Sequence, residues 1–176
     1  MSAVLAVGVL GVALAAAPEP EEHLPAVGQA APALAGYAAD GKMWTLKGTL
    51  RPRAGTGARV VVVSFFATWC KPCEAAIPVL RREVASRAAR GAQLVMVAKQ
   101  EDAAKVLKEA ARMHVEGLTV LPDPYDRTCR EWGVTRRLPR TVVLDAEGKV
   151  RAVFVDETGD FAERLGRALD DVLGPA

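Results

Sequence analysis

Two cysteines separated by two residues, Cys70 and Cys73, are the side chains whose spacing most clearly permits chemistry in this chain. If the segment is helical, a spacing of three residues is close to one turn and brings the two sulfurs together. A thiolate at Cys70 can then attack a disulfide of another protein, and Cys73 can break the resulting mixed disulfide. The spacing therefore predicts a redox-active pair with Cys70 as nucleophile and Cys73 as resolving thiol.

The residues in front of these cysteines predict a buried β-strand. Val60–Phe66 contains four consecutive valines and two phenylalanines, a run too β-branched to prefer a helix and too apolar to have a wet face. Cys70 therefore follows the carboxyl end of a central strand, where sites form in open α/β sheets. A helix that begins there directs free N–H groups and a positive dipole end at Cys70. Together with the adjacent Lys71, this placement predicts a lowered pKa for Cys70.

The same segment resembles a known family. Trp69-Cys70-Lys71-Pro72-Cys73 after an apolar strand, with Pro78 five residues beyond the second cysteine, is similar to the active-site motif of the thioredoxin superfamily. The preceding Phe66-Ala67-Thr68 resembles its extracytoplasmic TlpA/ResA-type members. The resemblance implies a thioredoxin-like α/β fold, with a central mixed β-sheet flanked by helices and an N-terminal β-hairpin. It also implies a thiol-disulfide oxidoreductase whose site is shaped by Trp69, Lys71 and Pro72.

A second motif lies further along the chain. Leu138-Pro139-Arg140-Thr141 precedes an apolar strand and resembles the cis-proline loop of the superfamily, which lies against the CxxC motif. The resemblance implies that Pro139 shields the cysteines and that Leu138 offers main-chain hydrogen bonds to a bound peptide. Arg136, Arg137 and Arg140 flank this proline, and we expect them to attract acidic partners. The predicted substrate-binding residues are therefore Arg137, Leu138 and Arg140. An ordinary strand-entry proline is the alternative, because sequence alone does not show the isomer.

The proton acceptors that usually assist such a dithiol are missing. Thioredoxins resemble one another in a buried aspartate six residues before the nucleophile, a position that is Ser64 here. TlpA/ResA-type proteins similarly place a glutamate three residues after the second cysteine, where this chain has Ala76. Glu74 follows Cys73 directly, and about 100° of helical rotation turns it toward solvent rather than toward the sulfurs. We therefore expect deprotonation of Cys73 to depend on water and on the pH of the solution.

The overall composition is that of one globular domain. With 176 residues, 51% of them hydrophobic, the chain is long enough to bury a core. Its net charge is +2 and its 21 acidic residues are interspersed with the basic ones, which argues against a nucleic-acid-binding surface. Both histidines, His23 and His114, are far from Cys70 in sequence, and Glu74 rather than a histidine follows Cys73. We therefore predict no metal site, no haem attachment and no cofactor.

The N-terminal segment predicts export. Residues 3–17 are an unbroken apolar run with A-x-A cleavage patterns at Ala15 and Ala17. The run is shorter than the ~20 residues of a spanning helix, and it lacks both a positively charged start and a cysteine for lipid attachment. We therefore predict a signal peptide at residues 1–17, a linker at 18–26 and a thioredoxin-like domain at 27–176. This organisation predicts a periplasmic or otherwise extracytoplasmic protein, with membrane anchoring disfavoured.

The rest of the chain alternates predicted strands and helices, which indicates a mostly parallel sheet. Residues 47–59 predict a basic surface loop rather than a recognition loop, because they lead into the end of Val60–Phe66 that is remote from Cys70. The other predicted elements are an N-terminal hairpin turning at Asp40-Gly41, a helix with Ile77, Leu80, Val84 and Ala88 inward that stops at Gly91, a strand at 93–98, a helix capped by Asp102 with Val106, Leu107, Ala110 and Met113 inward, a strand at 118–121, a short helix at 125–132, a hairpin turning at 145–148 and a last helix opened by a capping box of Asp160 and Glu163.

The third cysteine, Cys129, lies in the short predicted helix at residues 125–132. Its neighbours Arg130 and Glu131 take the solvent-facing positions, which leaves Cys129 and Trp132 for the inner face. Free cysteine is among the most buried residue types, so we predict a packing role for Cys129 rather than a redox role.

Three functions remain open at the level of sequence. The favoured function is a thiol-disulfide oxidoreductase that acts on the dithiols or disulfides of other proteins, including acidic ones. An upstream redox partner would restore its starting state. The reduction potential of the Cys70–Cys73 pair decides whether the protein reduces or oxidises its substrates. A peroxiredoxin-like peroxidase is the first alternative, but such sites resemble Pro-x-x-x-Thr-x-x-Cys, whereas Ser64 stands four residues before Thr68 and Thr68 only two before Cys70. The second is a non-enzymatic interaction or copper-handling module. Copper relays of this fold resemble Cys-x-x-x-Cys with a distant histidine, so the two-residue spacing between Cys70 and Cys73 disfavours it.

Overall fold

The computed structural model describes residues 22–50, 58–155, 157 and 159–174. The predicted signal peptide and residues 18–21 of the predicted linker lie outside these ranges. None of the helices within them is long and apolar enough to cross a membrane. The strands are β1 (Ala35–Tyr37), β2 (Met43–Thr45), β3 (Val60–Phe66), β4 (Ala92–Lys99), β5 (Thr119–Asp123), β6 (Arg140–Asp145) and β7 (Val150–Phe154). The helices are α1 (Leu46–Leu50), α2 (Lys71–Ala85), α3 (Ala103–Glu109), α4 (Arg127–Glu131) and α5 (Phe161–Leu173), with a 3₁₀ turn at Ala88–Arg90.

A five-stranded mixed sheet forms the centre of the fold, in the order β5-β4-β3-β6-β7. β3 pairs in parallel with β4 and antiparallel with β6, and β4 pairs in parallel with β5. Every residue of β3 is buried, because strands flank it on both sides and packed side chains cover both of its faces. The predicted central strand and mixed sheet are confirmed, and α2 begins just beyond the carboxyl end of β3. The prediction of a mostly parallel sheet is wrong, because β6 pairs antiparallel with both β3 and β7 and so two of the four strand pairings are antiparallel.

The side chains of β3 alternate between the two faces of the sheet. Val60 and Val62 pack into the core that α2 and α5 form on one face. Phe66 points the same way and packs in a cluster that contains Cys73. By this alternation the fully buried Ser64 also faces α2, between the levels of Val62 and Phe66.

The opposite face of the sheet is covered by the N-terminal hairpin and α4. Phe65 packs against Trp132 there, with 5.5 Å between the ring centroids. A contact of this kind contributes about 0.5–1.5 kcal/mol beyond its buried area. Cys129 and Trp132 are both fully buried in this core, which confirms that they face inward.

The N-terminal hairpin forms as the sequence predicts. β1 and β2 pair antiparallel with Ala35 opposite Thr45, and Gly41 in the turn has the positive φ of 82° that favours glycine. The predicted loop from residue 47 onward is wrong over its first residues, because α1 occupies them. Thr45 Oγ1 accepts a hydrogen bond from the Gly48 amide at 3.0 Å, and α1 buries Leu50. Residues 51–57 of that predicted loop lie outside the described ranges.

The helix after β4 begins at the predicted cap. Asp102 Oδ1 accepts a hydrogen bond from the Lys105 amide at 2.8 Å. Val106 is buried as predicted, but the prediction for Leu107 is wrong because this side chain is exposed. The helix ends at Glu109, and Val106 is the one residue within it that is buried. Leu107, the next residue along the helix, therefore faces solvent.

The capping box predicted for α5 is also wrong. Asp160 precedes α5, but its side chain accepts no backbone hydrogen bond. Its Oδ1 accepts instead from Arg164 Nε at 2.8 Å, and Glu163 pairs with Arg167. Each carboxylate is therefore held by the arginine four residues later, a spacing that competes with capping.

Candidate active site

Cys70 and Cys73 meet at the start of α2. Their sulfurs form a disulfide of 2.05 Å, and their Cα atoms are 5.3 Å apart. Cys70 occupies the N-cap position, and its Sγ accepts a hydrogen bond from the Cys73 amide at 3.2 Å. Cys73 is fully buried, whereas Cys70 keeps 5% of its surface accessible. A reacting partner can therefore approach Cys70 and not Cys73.

A cleft of about 440 Å³ opens over Cys70. It brings together the two sequence motifs, which lie more than sixty residues apart in the chain. Its walls are Trp69, Cys70, Lys71, Pro72, Arg136, Arg137, Leu138, Arg140 and Val155. Trp69 is 61% exposed at the rim, so it offers an aromatic surface to a docking chain.

The Leu138–Pro139 peptide bond is cis. The isomer that the resemblance implied is therefore present. Leu138 is partly buried and packs against the cluster that contains Cys70 and Cys73. The loop thus lies against the disulfide, and its main chain borders the cleft.

A buried glutamate that sequence analysis missed fixes the loop ahead of Cys70. Both carboxylate oxygens of Glu101 accept from the Thr68 amide, at 3.0 and 3.1 Å, and Oε1 also accepts from the Thr68 hydroxyl at 2.5 Å. Glu101 is 3% exposed, and Lys105 Nζ is 3.7 Å from its Oε1. Glu101 follows the carboxyl end of β4, next to β3, and this position is the one signal that could have indicated it.

Arg112 ties the same loop to the start of α2. Its Nη2 donates to the Thr68 carbonyl at 2.6 Å, and its Nη1 donates to Glu74 Oε2 at 2.9 Å. Glu74 Oε2 also receives Lys71 Nζ at 3.3 Å. The hydrogen bond from Lys71 is the main cause of a lowered pKa for Glu74, and Arg112 adds to it. Glu74 thus pairs with two cations on the outer side of the helix, in agreement with its predicted orientation.

A chain of side-chain oxygens leads from Ser64, at the position of the missing aspartate, to the partly buried Glu157. Ser64 and Thr141 face each other across β3 and β6, with their hydroxyl oxygens 3.0 Å apart. The Thr141 hydroxyl is 2.5 Å from Glu157 Oε1, to which it donates. The hydroxyl groups of Thr141 and Ser64 therefore connect the Glu157 carboxylate to the face of β3 that α2 covers. No local sequence signal marks Glu157, because its position depends on the path of the chain after β7.

The arginines around Pro139 differ in their surroundings. The side chains of Arg136 and Arg137 are exposed, whereas Arg140 is 4% exposed. Arg140 Nη1 donates to the carbonyls of Pro139 and Val155 at 2.9 and 2.8 Å. Long-range attraction of a partner can therefore come from Arg136 and Arg137, while the charge of Arg140 is used locally.

Glu22, in the N-terminal segment, accepts hydrogen bonds from all three of these arginines. Its Oε1 accepts from the amides of Arg136 and Arg137 at 2.8 and 2.7 Å, and its Oε2 accepts from Arg140 Nη2 at 2.9 Å. Burial alone would raise the pKa of Glu22, but the hydrogen bonds from Arg137, Arg140 and Arg136 outweigh it and lower the pKa. A carboxylate is therefore bound at the edge of the cleft over Cys70.

Cys129 lies apart from this site, on the other face of the sheet. Its sulfur is grouped with the carboxylates of Asp123 and Asp126 within 4.8 Å. Burial is the main cause of a strongly raised pKa for Cys129, and Asp123 adds to it. Asp123 accepts from the Cys129 amide at 2.8 Å, and Asp126 pairs with Lys99. Both carboxylates are thus accounted for by α4 and Lys99, and the predicted packing role of Cys129 agrees with its full burial.

The fold is thioredoxin-like, and its site is a disulfide at the start of a helix beside a cis-proline loop. The chain belongs to the AhpC/TSA family, whose sequence profile matches residues 27–153. Among named relatives, it is 32% identical over 96 residues to the thiol-disulfide oxidoreductase ResA of Geobacillus thermodenitrificans, a match that covers 53% of each chain. The chain therefore spans about half the length of that relative.

Two further comparisons extend over most of the chain. The thiol-disulfide oxidoreductase ResA of Geobacillus kaustophilus is 28% identical over 155 residues, which cover 86% of this chain and 81% of that relative. The crystal structure of a candidate thiol:disulfide interchange protein DsbE from Chlorobium tepidum is 28% identical with a TM-score of 0.74, and the match covers 85% of this chain and 99% of that chain. The resemblance to ResA-type proteins found in the sequence is confirmed.

Proposed function

We propose that this protein exchanges disulfides with the cysteines of other proteins through Cys70 and Cys73. The observation that carries the proposal is the disulfide at the start of α2, of which only Cys70 is accessible and which opens into a cleft beside Pro139. This arrangement separates the two roles that the reaction needs. One sulfur meets the substrate, and the other is held in the protein interior to finish the exchange.

In the reductive direction the exchange has two steps. The Cys70 thiolate of the reduced protein attacks one sulfur of a substrate disulfide, and the second substrate sulfur leaves as a thiolate that takes up a proton. The Cys73 thiolate, having lost its proton to solvent, attacks Cys70 Sγ and releases the first substrate sulfur. Two electrons pass from the dithiol to the substrate, and the Cys70–Cys73 disulfide remains. An external dithiol restores the reduced form, and the reverse sequence oxidises a substrate.

The start of α2 favours the step in which Cys70 carries charge. Sulfur at the N-cap of a helix faces the free amides and the positive end of the dipole. The Cys73 amide already donates to Cys70 Sγ at 3.2 Å. Thr68, two residues earlier, is held by Glu101 and Arg112, so the loop that carries Cys70 is fixed from both sides.

We also propose that the partners are proteins met outside the cytoplasm, many of them acidic. The apolar run at residues 3–17 supports the location. The exposed side chains of Arg136 and Arg137 beside the cleft support the preference for negative partners, whose association should slow as salt rises. An exchange rate that does not change with ionic strength would contradict that preference.

The proposed activity is tested by the reduction of insulin with dithiothreitol as electron source. We expect the wild-type protein to accelerate precipitation of the insulin B chain, and both Cys70→Ser and Cys73→Ser to abolish the acceleration. Consumption of hydrogen peroxide under the same conditions tests the peroxidase alternative. Peroxide turnover that depends on Cys70, without insulin reduction, would replace the proposed function by that alternative.

A further inference from the structure

The loop before β6 and Arg140, the first residue of β6, together bind both oxygens of a carboxylate. The amides of Arg136 and Arg137 converge on one oxygen of Glu22, at 2.8 and 2.7 Å. Arg140 Nη2 donates to the other oxygen at 2.9 Å. Hydrogen bonds from a guanidinium and from two converging amides are the strong, charge-assisted kind.

The donors of this site are fixed by the fold itself. The guanidinium of Arg140 is held through its Nη1 by the Pro139 and Val155 carbonyls, at 2.9 and 2.8 Å. Its side chain is only 5% exposed, so its Nη2 keeps its direction. A site whose donors are already in place loses little conformational entropy when an anion binds.

The site lies where a substrate would be. Arg136, Arg137 and Arg140 line the same cleft as Trp69 and Cys70. A carboxylate bound there would belong to a residue close in sequence to the cysteine that reacts with Cys70.

Glu22 reaches the site from a tethered segment. The next residue, His23, passes against Gly133, where an added Cβ would lie 2.3 Å from the His23 carbonyl oxygen. Leu24 packs against the core, and the Gly28 amide donates to the Val150 carbonyl at 2.8 Å. The Glu22 side chain itself remains 21% exposed. Glu22 therefore competes with external anions at the high effective concentration of a short tether.

We infer that this site binds an acidic residue of the substrate protein, and that Glu22 occupies it in the free enzyme. The inference rests on the proposed disulfide exchange and names the chemistry by which that reaction selects its substrates. Departure of Glu22 leaves the buried guanidinium of Arg140 without its partner, which is strongly unfavourable. A substrate that brings its own carboxylate replaces the lost contacts, whereas a neutral one does not. The exchange of one carboxylate for another thus favours acidic substrates.

Two disulfide-linked peptide dimers provide the test. The two peptides are identical except at the positions two residues before and two residues after the cysteine. One peptide has glutamate at both positions, and the other has glutamine. The reduction of each peptide is followed by chromatography, with dithiothreitol as electron source, for the wild-type protein and for Glu22→Ala. Glu147→Ala is the matched control, because it makes the same charge change on an exposed residue in the β6–β7 turn, at the far end of β6 from Pro139.

We expect Glu22→Ala to raise kcat/KM for the glutamate peptide about tenfold relative to the glutamine peptide, the factor that corresponds to one charge-assisted hydrogen bond. The Glu147→Ala control should keep the wild-type ratio. An unchanged ratio in Glu22→Ala would overturn the inference and leave Glu22 as an anchor of the N-terminal segment. Failure of every variant to reduce either peptide would instead overturn the proposed function.

A binding measurement keeps the inference testable without turnover. A glutamate peptide with serine in place of cysteine is titrated into ¹⁵N-labelled protein, and the amide signals of Arg136 and Arg137 are followed. These signals should move in the spectrum of Glu22→Ala at peptide concentrations that leave the same signals of Glu147→Ala unchanged. If Glu22→Ala gives the spectrum of an unfolded chain, Glu22→Gln takes its place, because it keeps an acceptor for the two amides and removes the charge. Signals that do not move in a folded Glu22 variant would overturn the inference.

Discussion

The contact between Thr68 and Glu101 offers a quantitative test of how the loop ahead of Cys70 is held. The amide of Thr68 is shared between both oxygens of Glu101, and its hydroxyl bonds one of them at 2.5 Å, so two separate donors depend on this carboxylate. Both residues are nearly inaccessible, at 4% and 3% exposure. Each buried donor left without an acceptor costs about 1–3 kcal/mol.

We therefore expect Glu101→Ala to lower the free energy of unfolding by about 2–4 kcal/mol, since relief of the buried carboxylate offsets part of the loss. Thr68→Val removes one donor and should cost about 1–2 kcal/mol. In a double-mutant cycle the two changes should couple by about 1–3 kcal/mol. The ion pair between Glu101 and Lys105 adds little to the free energy of unfolding, because its atoms are 3.7 Å apart and the Lys105 side chain is half exposed.

Urea unfolding followed by tryptophan fluorescence measures these values, with the exposed Glu116→Ala as control. The control should stay within about 0.5 kcal/mol of the wild type. A coupling below about 0.5 kcal/mol between positions 68 and 101 would refute the reasoning. It would show that the loop ahead of Cys70 is held by its backbone and by Arg112 alone.

Three further predictions concern Cys129, Cys73 and Asp170. Cys129→Ser should leave insulin reduction nearly intact while lowering the melting temperature, because the sulfur is buried on the face away from the site; loss of turnover would contradict this placement. Attack of Cys73 on a mixed disulfide should be slow at neutral pH and rise toward the ordinary thiol pKa of ~8.5; a flat profile that Glu157→Gln makes steep would show instead that Glu157 takes the proton through Thr141 and Ser64. The hydrogen bonds from Arg87 and then Arg90 lower the pKa of Asp170 to about 2, so this carboxylate stabilises the fold above its unfolded pKa and the effect is lost as the pH falls from about 4 to 2. Asp170 is 46% exposed, and Asp170→Asn should therefore cost no more than ~1 kcal/mol in urea unfolding at pH 7; an equal difference at pH 2 would contradict the linkage.

The parts of the fold that could be predicted from sequence have local causes. Val60–Phe66 is strand-forming and apolar throughout, and its central position follows from burial of both faces. The cysteine spacing and Pro139 are similarly contained within short motifs. Cys129 could be placed inward because its immediate neighbours are charged. In these cases the sequence within one element carries the information.

The parts that could not be predicted depend on contacts between distant segments. Three glutamates surround the site, and their partners are 33, 118 and 16 residues away in sequence for Glu101, Glu22 and Glu157 respectively. A glutamate at such positions looks like any exposed acidic residue until the path of the chain is known. The wrong capping box has a related cause, because Arg164 competes with the backbone for Asp160.

The central claim, that Cys70 is the sulfur that meets the substrate, is tested most directly by trapping the mixed disulfide. The Cys73→Ser protein, reduced and then mixed with insulin, should form a covalent adduct that dithiothreitol reverses and that peptide mapping by mass spectrometry assigns to Cys70. The Cys70→Ser protein should form almost none, because Cys73 is fully buried. An adduct at Cys129, or equal adduct in both variants, would contradict the account.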